Sequence, residues 1–377
     1  MIYLDNAATT GNKPFSVIKA VNNALINYNA NPGRSGHDLS IKVAEELLKC
    51  RCKIKEFFNC TSENNVCFTQ NCTHAINIVL QGVLNQGDHV IISSLEHNAV
   101  FRPLNYLREQ KQVEFDIAQV DLYDDEITLQ NIKNLIKNNT KMIFLTAASN
   151  VVGKKLPIKK IGALCKEANL LFGVDAAQAA GKNKIDVIDM SIDYLCFAPH
   201  KGFYAPTGLG VLIAEKPIEN ILISGGTGVN SIEFLQPADL PERIESGTQN
   251  IPGIIGLKEG IDFINYKGIN KVESYEISLI KYCYFELQKI GAELYTQPPT
   301  INNFAPVLSF NVKGYQSEQV GEYLNKNQIA VRAGLHCAPL AHKQLKTLER
   351  GTVRVSPSVF NNKNQLEKLI FYIKRLI

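Results

Sequence analysis

Seven short apolar runs between residues 66 and 214, most of them separated by a stretch with helical periodicity, leave this chain few folds to choose from. "VCFTQ", "HVIISSLEH", "VEFDIAQV", "KMIFLTAAS", "LLFGVDAAQ", "DYLCFAP" and "GLGVLIA" read as buried strands. Between them, "THAINIVLQGVL", "TLQNIKNLIKNN" and "IKKIGALCKEAN" repeat apolar residues at the spacing of an amphipathic helix. That order predicts an α/β architecture, a mostly parallel sheet flanked by helices on both faces. Past "GIIGLKEG" the pattern changes to a long helix over 270–291, strands near 307–313, 329–333 and 352–356, and a closing helix from 362. This reads as a smaller C-terminal α+β domain. The expected division is an N-terminal segment of 1–15 lying near the active site and the small domain, a large domain of 16–255 and a small one of 256–377.

The formal net charge is +4, and no run of about five or six like charges occurs. The chain therefore lacks the electrostatic footprint expected for nucleic acid or an acidic membrane surface. It opens "MIYLDNAATT", with no basic n-region, and no segment reaches the roughly eighteen apolar residues of a membrane span. The expectation is a soluble cytoplasmic protein. Nine cysteines, at 50, 52, 60, 67, 72, 165, 196, 283 and 337, form no CxxC pair and no zinc-finger spacing, so they read as reduced thiols and no metal site is expected. Cys165 and Cys196 lie in apolar patterns where a thiol acts as a small hydrophobe.

In sheets of this kind ligands collect beyond the carboxyl ends of the strands. Four strands end in reactive residues: "ISSLEH" at His97, "FLTAASN" at Asn150, "LLFGVDAAQ" at Asp175 and Gln178, and "LCFAPHK" at His200 and Lys201. Singly, each is as readily a helix cap or a solvated tip. Together, an acid, a lysine and an imidazole on one rim are what pyridoxal 5'-phosphate needs. Lys201 would bind the cofactor as a Schiff base, Asp175 would pair with the pyridinium nitrogen, Gln178 could meet the ring hydroxyl and His97 could stack on its face. Thr73 in "NCTHAIN" opens a helix, where free N–H groups favour a phosphate.

The motifs "LDNAATT", "LEHNAV", "SNVVGKKLPI", "VDAAQAAG", "PHKGFYAPTGLGVL", "ESGTQNIPGIIGL" and "VRAGLHCAP" run in order along nearly the whole chain. Together they resemble the class V aminotransferase group of fold-type I pyridoxal phosphate enzymes. Within it they resemble the cysteine desulfurases, and the branch with a short Arg-x-Gly-x-His-Cys loop more closely than the branch with a long mobile one. The resemblance implies that Lys201 is the Schiff-base lysine, that Asp175 and Gln178 are ring ligands, and that His97 stacks and serves as acid/base. It implies a phosphate site of Thr73, His200 and, from the second subunit of a homodimer, Thr248. It implies that Asn150, Arg332 and Arg354 hold the substrate carboxylate and that Cys337 is the nucleophile.

Three departures from that pattern stand out: Ala198 where relatives often carry a phosphate-binding serine, Leu335 where they carry a histidine, and Cys72 at a helix entry. The implied reaction converts L-cysteine to L-alanine, leaving a persulfide on Cys337 for an acceptor protein or small thiol. Only a thiolate is nucleophilic, so His336 and Arg332 are expected to favour that form. A selenocysteine lyase acting on L-selenocysteine, or a β-eliminating cysteine lyase, fits the same scaffold, whereas a cofactor-sensing regulator would need an appended domain.

Overall fold

The computed structural model describes residues 1–32, 36–228 and 232–377. All seven apolar runs form strands of one sheet, in the order Val66–Thr69, Gly210–Ala214, Tyr194–Phe197, Leu171–Asp175, Thr140–Thr146, His89–Ser93, Glu114–Ala118. Gly210–Ala214 runs against both its neighbours, and the other pairings are parallel. Successive side chains of these strands enter different cores: Ile91, Ile143 and Val174 pack on one face, Val90, Met142 and Phe144 on the other. This double burial makes the runs apolar throughout instead of alternating.

Helix Cys72–Val83 starts where the Asn71 side chain accepts the His74 N–H at 2.9 Å. Helix Asn98–Lys111 starts where His97 Nδ1 accepts the Ala99 N–H at 3.0 Å. Such caps satisfy N–H groups that have no partner inside the helix. Of three helices that periodicity did not mark, Phe15–Asn27 and Asp38–Phe58 each pack against the third, Ile251–Lys267, beside the large sheet.

The long helix expected over 270–291 spans Ile269–Lys289. By core membership the changeover between units falls inside it: Val272 packs with the large sheet, and Leu279 onward packs beneath a second sheet. That sheet is antiparallel, in the order Arg332–Gly334, Thr352–Val355, Leu308–Asn311, Glu293–Leu294. The run expected at 329–333 is two strands, because Ile329–Ala330 leaves this sheet to pair in parallel with Ile2–Tyr3. The N-terminal segment then continues along the small unit, with Ser356 N donating to Leu4 O at 2.8 Å. It reaches the large sheet where Thr10 N donates to His200 O at 3.2 Å. No helix among the described residues is long and apolar enough to cross a membrane.

One backbone contact sets the turn that carries Lys201. Gly202 lies against Ala180 and Gly181, so close that an added Cβ would collide with the Ala180 carbonyl oxygen. Gly181 itself has φ +77°, where glycine carries no steric penalty. Gly202→Ala should therefore destabilise the fold by about 2 kcal/mol, the scale of overpacking a rigid interior. Urea unfolding measures it, and an unchanged midpoint would show that the turn is not fixed by this contact.

Candidate active site

Asp175 ends its strand almost fully buried, at 4% exposure. Its Oδ1 accepts the Ala177 N–H at 2.9 Å and the Cys72 thiol at 3.7 Å. Burial pushes its carboxyl above the ordinary carboxylate range, against the pull of the Ala177 N–H and of Lys201. The same burial pushes the Lys201 ammonium below the ordinary lysine range. Asp175 opposes that shift and Arg354 and Arg332 add to it. The result is an amine biased toward its free base facing an acid short of cationic partners.

Both strand-end histidines are held uncharged. Burial, with the nearby Lys201 and Arg332, takes His97 down to about 4, and its Nδ1 is already committed as an acceptor at the helix cap. The proton therefore sits on Nε2. Burial with Lys201 and Lys13 takes His200 down to about 4, and its Nδ1 meets Thr9 Oγ1 at 3.0 Å. Gln178 donates from Nε2 to Ala7 O at 2.9 Å, which leaves Oε1 as its free end.

Arg354 is 1% exposed on strand Thr352–Val355. Its Nη2 pairs with Asp5 Oδ1 at 2.6 Å and its Nη1 donates to Asn150 O at 3.0 Å, while Nε has no partner. Arg332 lies directly opposite it across the antiparallel ladder. Two guanidinium groups side by side, with Asp5 pairing only one, leave a surplus positive charge suited to an anion. Asn150 Nδ2 then donates to His336 O at 2.7 Å, which ties this cluster to the cysteine loop.

Cys337 follows strand Arg332–Gly334 and precedes helix Pro339–Gln344. It is exposed, whereas seven of the other cysteines are buried and Cys52 is partly so. Arg332 Nη2 lies 3.4 Å from its Sγ, and its carbonyl accepts the Asn98 N–H, a free donor in the first turn of a helix, at 2.7 Å. His336 does not act as the expected cationic neighbour. It is 2% exposed, its Nε2 lies 3.0 Å from both Thr352 O and Oγ1, and burial holds it down to about 2. Of the two groups expected to favour the thiolate, Arg332 alone presents a charge.

Thr73 is exposed in the first turn after Asn71, beside the Cys72 that touches Asp175. Thr248 is exposed and, among the described residues, no hydrogen bond ties it to this cluster. Sequence reasoning gave no role to Asp5, Ala7 or Thr9, although all three lie in "LDNAATT", nor to Asn98 or the thiol of Cys72. Their signal was the motif itself, whose contacts exist only once the N-terminal segment has crossed both units. Among the described residues no group of three or more His, Cys, Asp or Glu could hold a metal.

The assembled groups are a buried acid, a lysine biased toward its free base, two uncharged imidazoles, a pair of guanidinium groups and an exposed thiol. Sequence and structure comparisons show the family to which the chain belongs. The profile of the aminotransferase class V family matches residues 2–369. A probable cysteine desulfurase of Pyrococcus abyssi is 32% identical, the match covering 100% of this chain and 94% of the relative. The solved structure of a cysteine desulfurase from Thermococcus onnurineus superposes with a TM-score of 0.91 at 30% identity, covering 100% of this chain and 94% of that one. A cysteine desulfurase from Escherichia coli superposes with a TM-score of 0.88 at 26% identity, covering 99% and 94%.

Burial of the four histidines near these loops sets a pH signature. His336 at about 2 and His97, His200 and His342 at about 4 all lie below the ordinary value of 6.5. As pH falls through 6.5 the unfolded chain takes up protons that the folded chain refuses, so stability is lost from there down toward the folded values. His336→Asn should shrink the stability difference between pH 7.5 and 5 by about 2 kcal/mol, the linkage expected of one such group. Urea midpoints at the two pH values test it, and an unchanged difference would mean that His336 takes up its proton in the folded state.

Proposed function

Because the chain belongs to the class V aminotransferase family, we propose that it is a pyridoxal-phosphate-dependent cysteine desulfurase, a cytoplasmic homodimer that moves sulfur from L-cysteine onto Cys337 and releases L-alanine. The observation that carries this reading is the exposed Cys337 thiol, held beside Arg332 and pinned to the helix that His97 caps. The unit division proposed with it keeps residues 1–15 as a segment near the active site and the small domain, and moves the expected changeover at 255 into helix Ile269–Lys289, where Val272 packs with the large sheet and Leu279 with the small one.

The residues fit the cofactor. A buried acid pushed upward is matched by a cationic ring N–H, and a buried lysine pushed toward its free base is matched by an aldehyde carbon. Once bound through Lys201, the cofactor supplies an electron sink for charge left on the substrate Cα. Asp175 would hold the ring nitrogen, Gln178 would offer Oε1 to the ring hydroxyl and uncharged His97 would meet the ring and could donate from Nε2. Thr73 and His200 hold the phosphate, with Thr248 of the second subunit. Arg354, Arg332 and Asn150 orient the substrate carboxylate. Lys201 would take the Cα proton of the substrate.

Cys337 thiolate then attacks the substrate sulfur. The new S–S bond forms as Cβ–S breaks, its electron pair passes to Cβ, protonation at Cβ makes the methyl group, and return of a proton to Cα completes alanine. The persulfide leaves to an acceptor protein or small thiol. Cys337→Ala should lower alanine release from L-cysteine at least a hundredfold, since the reaction loses its sulfur acceptor. Cofactor uptake should be unchanged and any cleavage of L-selenocysteine reduced far less, because a selenolate leaves more readily. Alanine and pyruvate are quantified with each substrate. Cysteine turnover near the parent rate would instead make the protein an eliminating lyase.

Sharing of the phosphate site predicts complementation. A Lys201→Ala chain mixed with a Thr248→Ala chain should form some heterodimers with one intact site and regain activity above either variant alone. No gain despite verified subunit exchange would mean that Thr248 serves its own subunit or none.

A further inference from the structure

Glu96, the residue before His97, is fully buried. Its Oε1 accepts the Ser93 hydroxyl and, at 2.9 Å, the Thr146 N–H, while Oε2 has no partner. A carboxyl group half satisfied in a dry interior is costly to keep, and packing alone would have been served by an apolar side chain.

Its location explains it. Strands His89–Ser93 and Thr140–Thr146 pair from His89 opposite Thr140 to Ile91 opposite Ile143, and the ladder stops there. Beyond that point no register pair joins their carboxyl ends, and the pairing is split there. The split falls where the chain order reverses, since one strand of the pair is followed in sequence by the edge strand Glu114–Ala118 and the other by Leu171–Asp175. Ligands enter open α/β sheets at such a crevice. Glu96 Oε1 takes the Thr146 N–H that the neighbouring strand no longer reaches, and the Ser93 hydroxyl joins the other side to the same oxygen.

Thr146 is the register partner of Asp175, and Ala147 N donates to Asp175 O at 2.8 Å. One covalent step from Glu96, His97 caps its helix. The single carboxyl oxygen thus joins the backbone that carries His97 to the backbone that carries Asp175. Burial pushes the acid up to about 8, so at neutral pH it is an uncharged bridge that a carboxamide can copy.

We propose that Glu96 is a positioning residue, whose bridge across the split sheet fixes the distance between His97 on the face of the cofactor ring and Asp175 at its nitrogen. The proposal rests on the cofactor reading given above. It is tested with Glu96→Gln, Glu96→Asp and Glu96→Ala in the full chain. The measurements are the visible circular dichroism and dissociation constant of bound pyridoxal phosphate, kcat and KM for L-cysteine, and the thermal midpoint.

Glu96→Ala should lose the dichroic band of the bound cofactor, weaken its binding about tenfold and lower kcat by about ten- to a hundredfold with little change in KM, as expected for a misplaced reacting group. Glu96→Asp, one methylene short of the bridge, should fall the same way to a lesser degree and stands in if the alanine variant does not fold. Glu96→Gln should restore the dichroic band and recover kcat to within about threefold of the parent. A lower thermal midpoint with band, affinity and kcat intact in both Glu96→Ala and Glu96→Asp would overturn the proposal, leaving Glu96 a purely structural acid. If the parent binds the cofactor but forms no alanine, the desulfurase reading falls, and the dichroic band and affinity still decide the role of Glu96. A parent chain that takes up no cofactor overturns both.

Discussion

Arg354 is the group on which the assembly of the site depends. A guanidinium this deeply buried must be neutralised and hydrogen-bonded, or the fold bears the cost of an unpaired buried charge. Its counter-ion is Asp5, from the N-terminal segment, and its second partner is Asn150 O, from the large unit. Satisfying one side chain of the small unit therefore brings three separate stretches of chain together. Asn150 then passes the restraint on through its bond to His336 O, so the loop bearing Cys337 is located by the same cluster. Cross-strand pairing places Arg332 opposite, where it reaches the thiol.

Desolvation is the common cause behind the site's charge states. It moves Lys201 toward the free amine, keeps His97 and His200 neutral and raises Asp175 and Glu96. Each shift favours the uncharged form, which burial alone requires. The cations retained, Arg332 and Arg354, are of the type that resists deprotonation. A pocket built this way is poor in free charge except at these two guanidinium groups.

The strands and the family were legible in the sequence because each left a local mark. A strand buried on both faces is an apolar run, and Asp175, Lys201 and Cys337 sit in motifs long enough to specify a family. Helix Ile251–Lys267 was missed because its three glycines blur the periodicity, and their small size lets the helix approach closely, as Gly260 does at Phe203. The reading of His336 as a cation failed for a different reason. Its neighbours in sequence are a surface leucine and an exposed cysteine, and only the tertiary fold turns the ring inward onto Thr352. Asp5 and Glu96 were likewise invisible as functional groups, since one acts some 350 residues away in sequence and the other through a gap in the sheet.

The backbone at the thiol shows why that loop is short. His336 and Cys337 adopt φ of 51° and 58°, consecutive left-handed conformations in residues that carry a Cβ. Each costs roughly 1–3 kcal/mol, which the surrounding contacts must offset. The Asn150 bond to His336 O and the Asn98 bond to Cys337 O fall on those same two residues. Between strand Arg332–Gly334 and helix Pro339–Gln344, too little chain remains for the sulfur to travel more than a few ångströms. On the proposed function, a sulfur atom taken up on Cys337 would stay where it is received, and its acceptor would have to come to the exposed thiol.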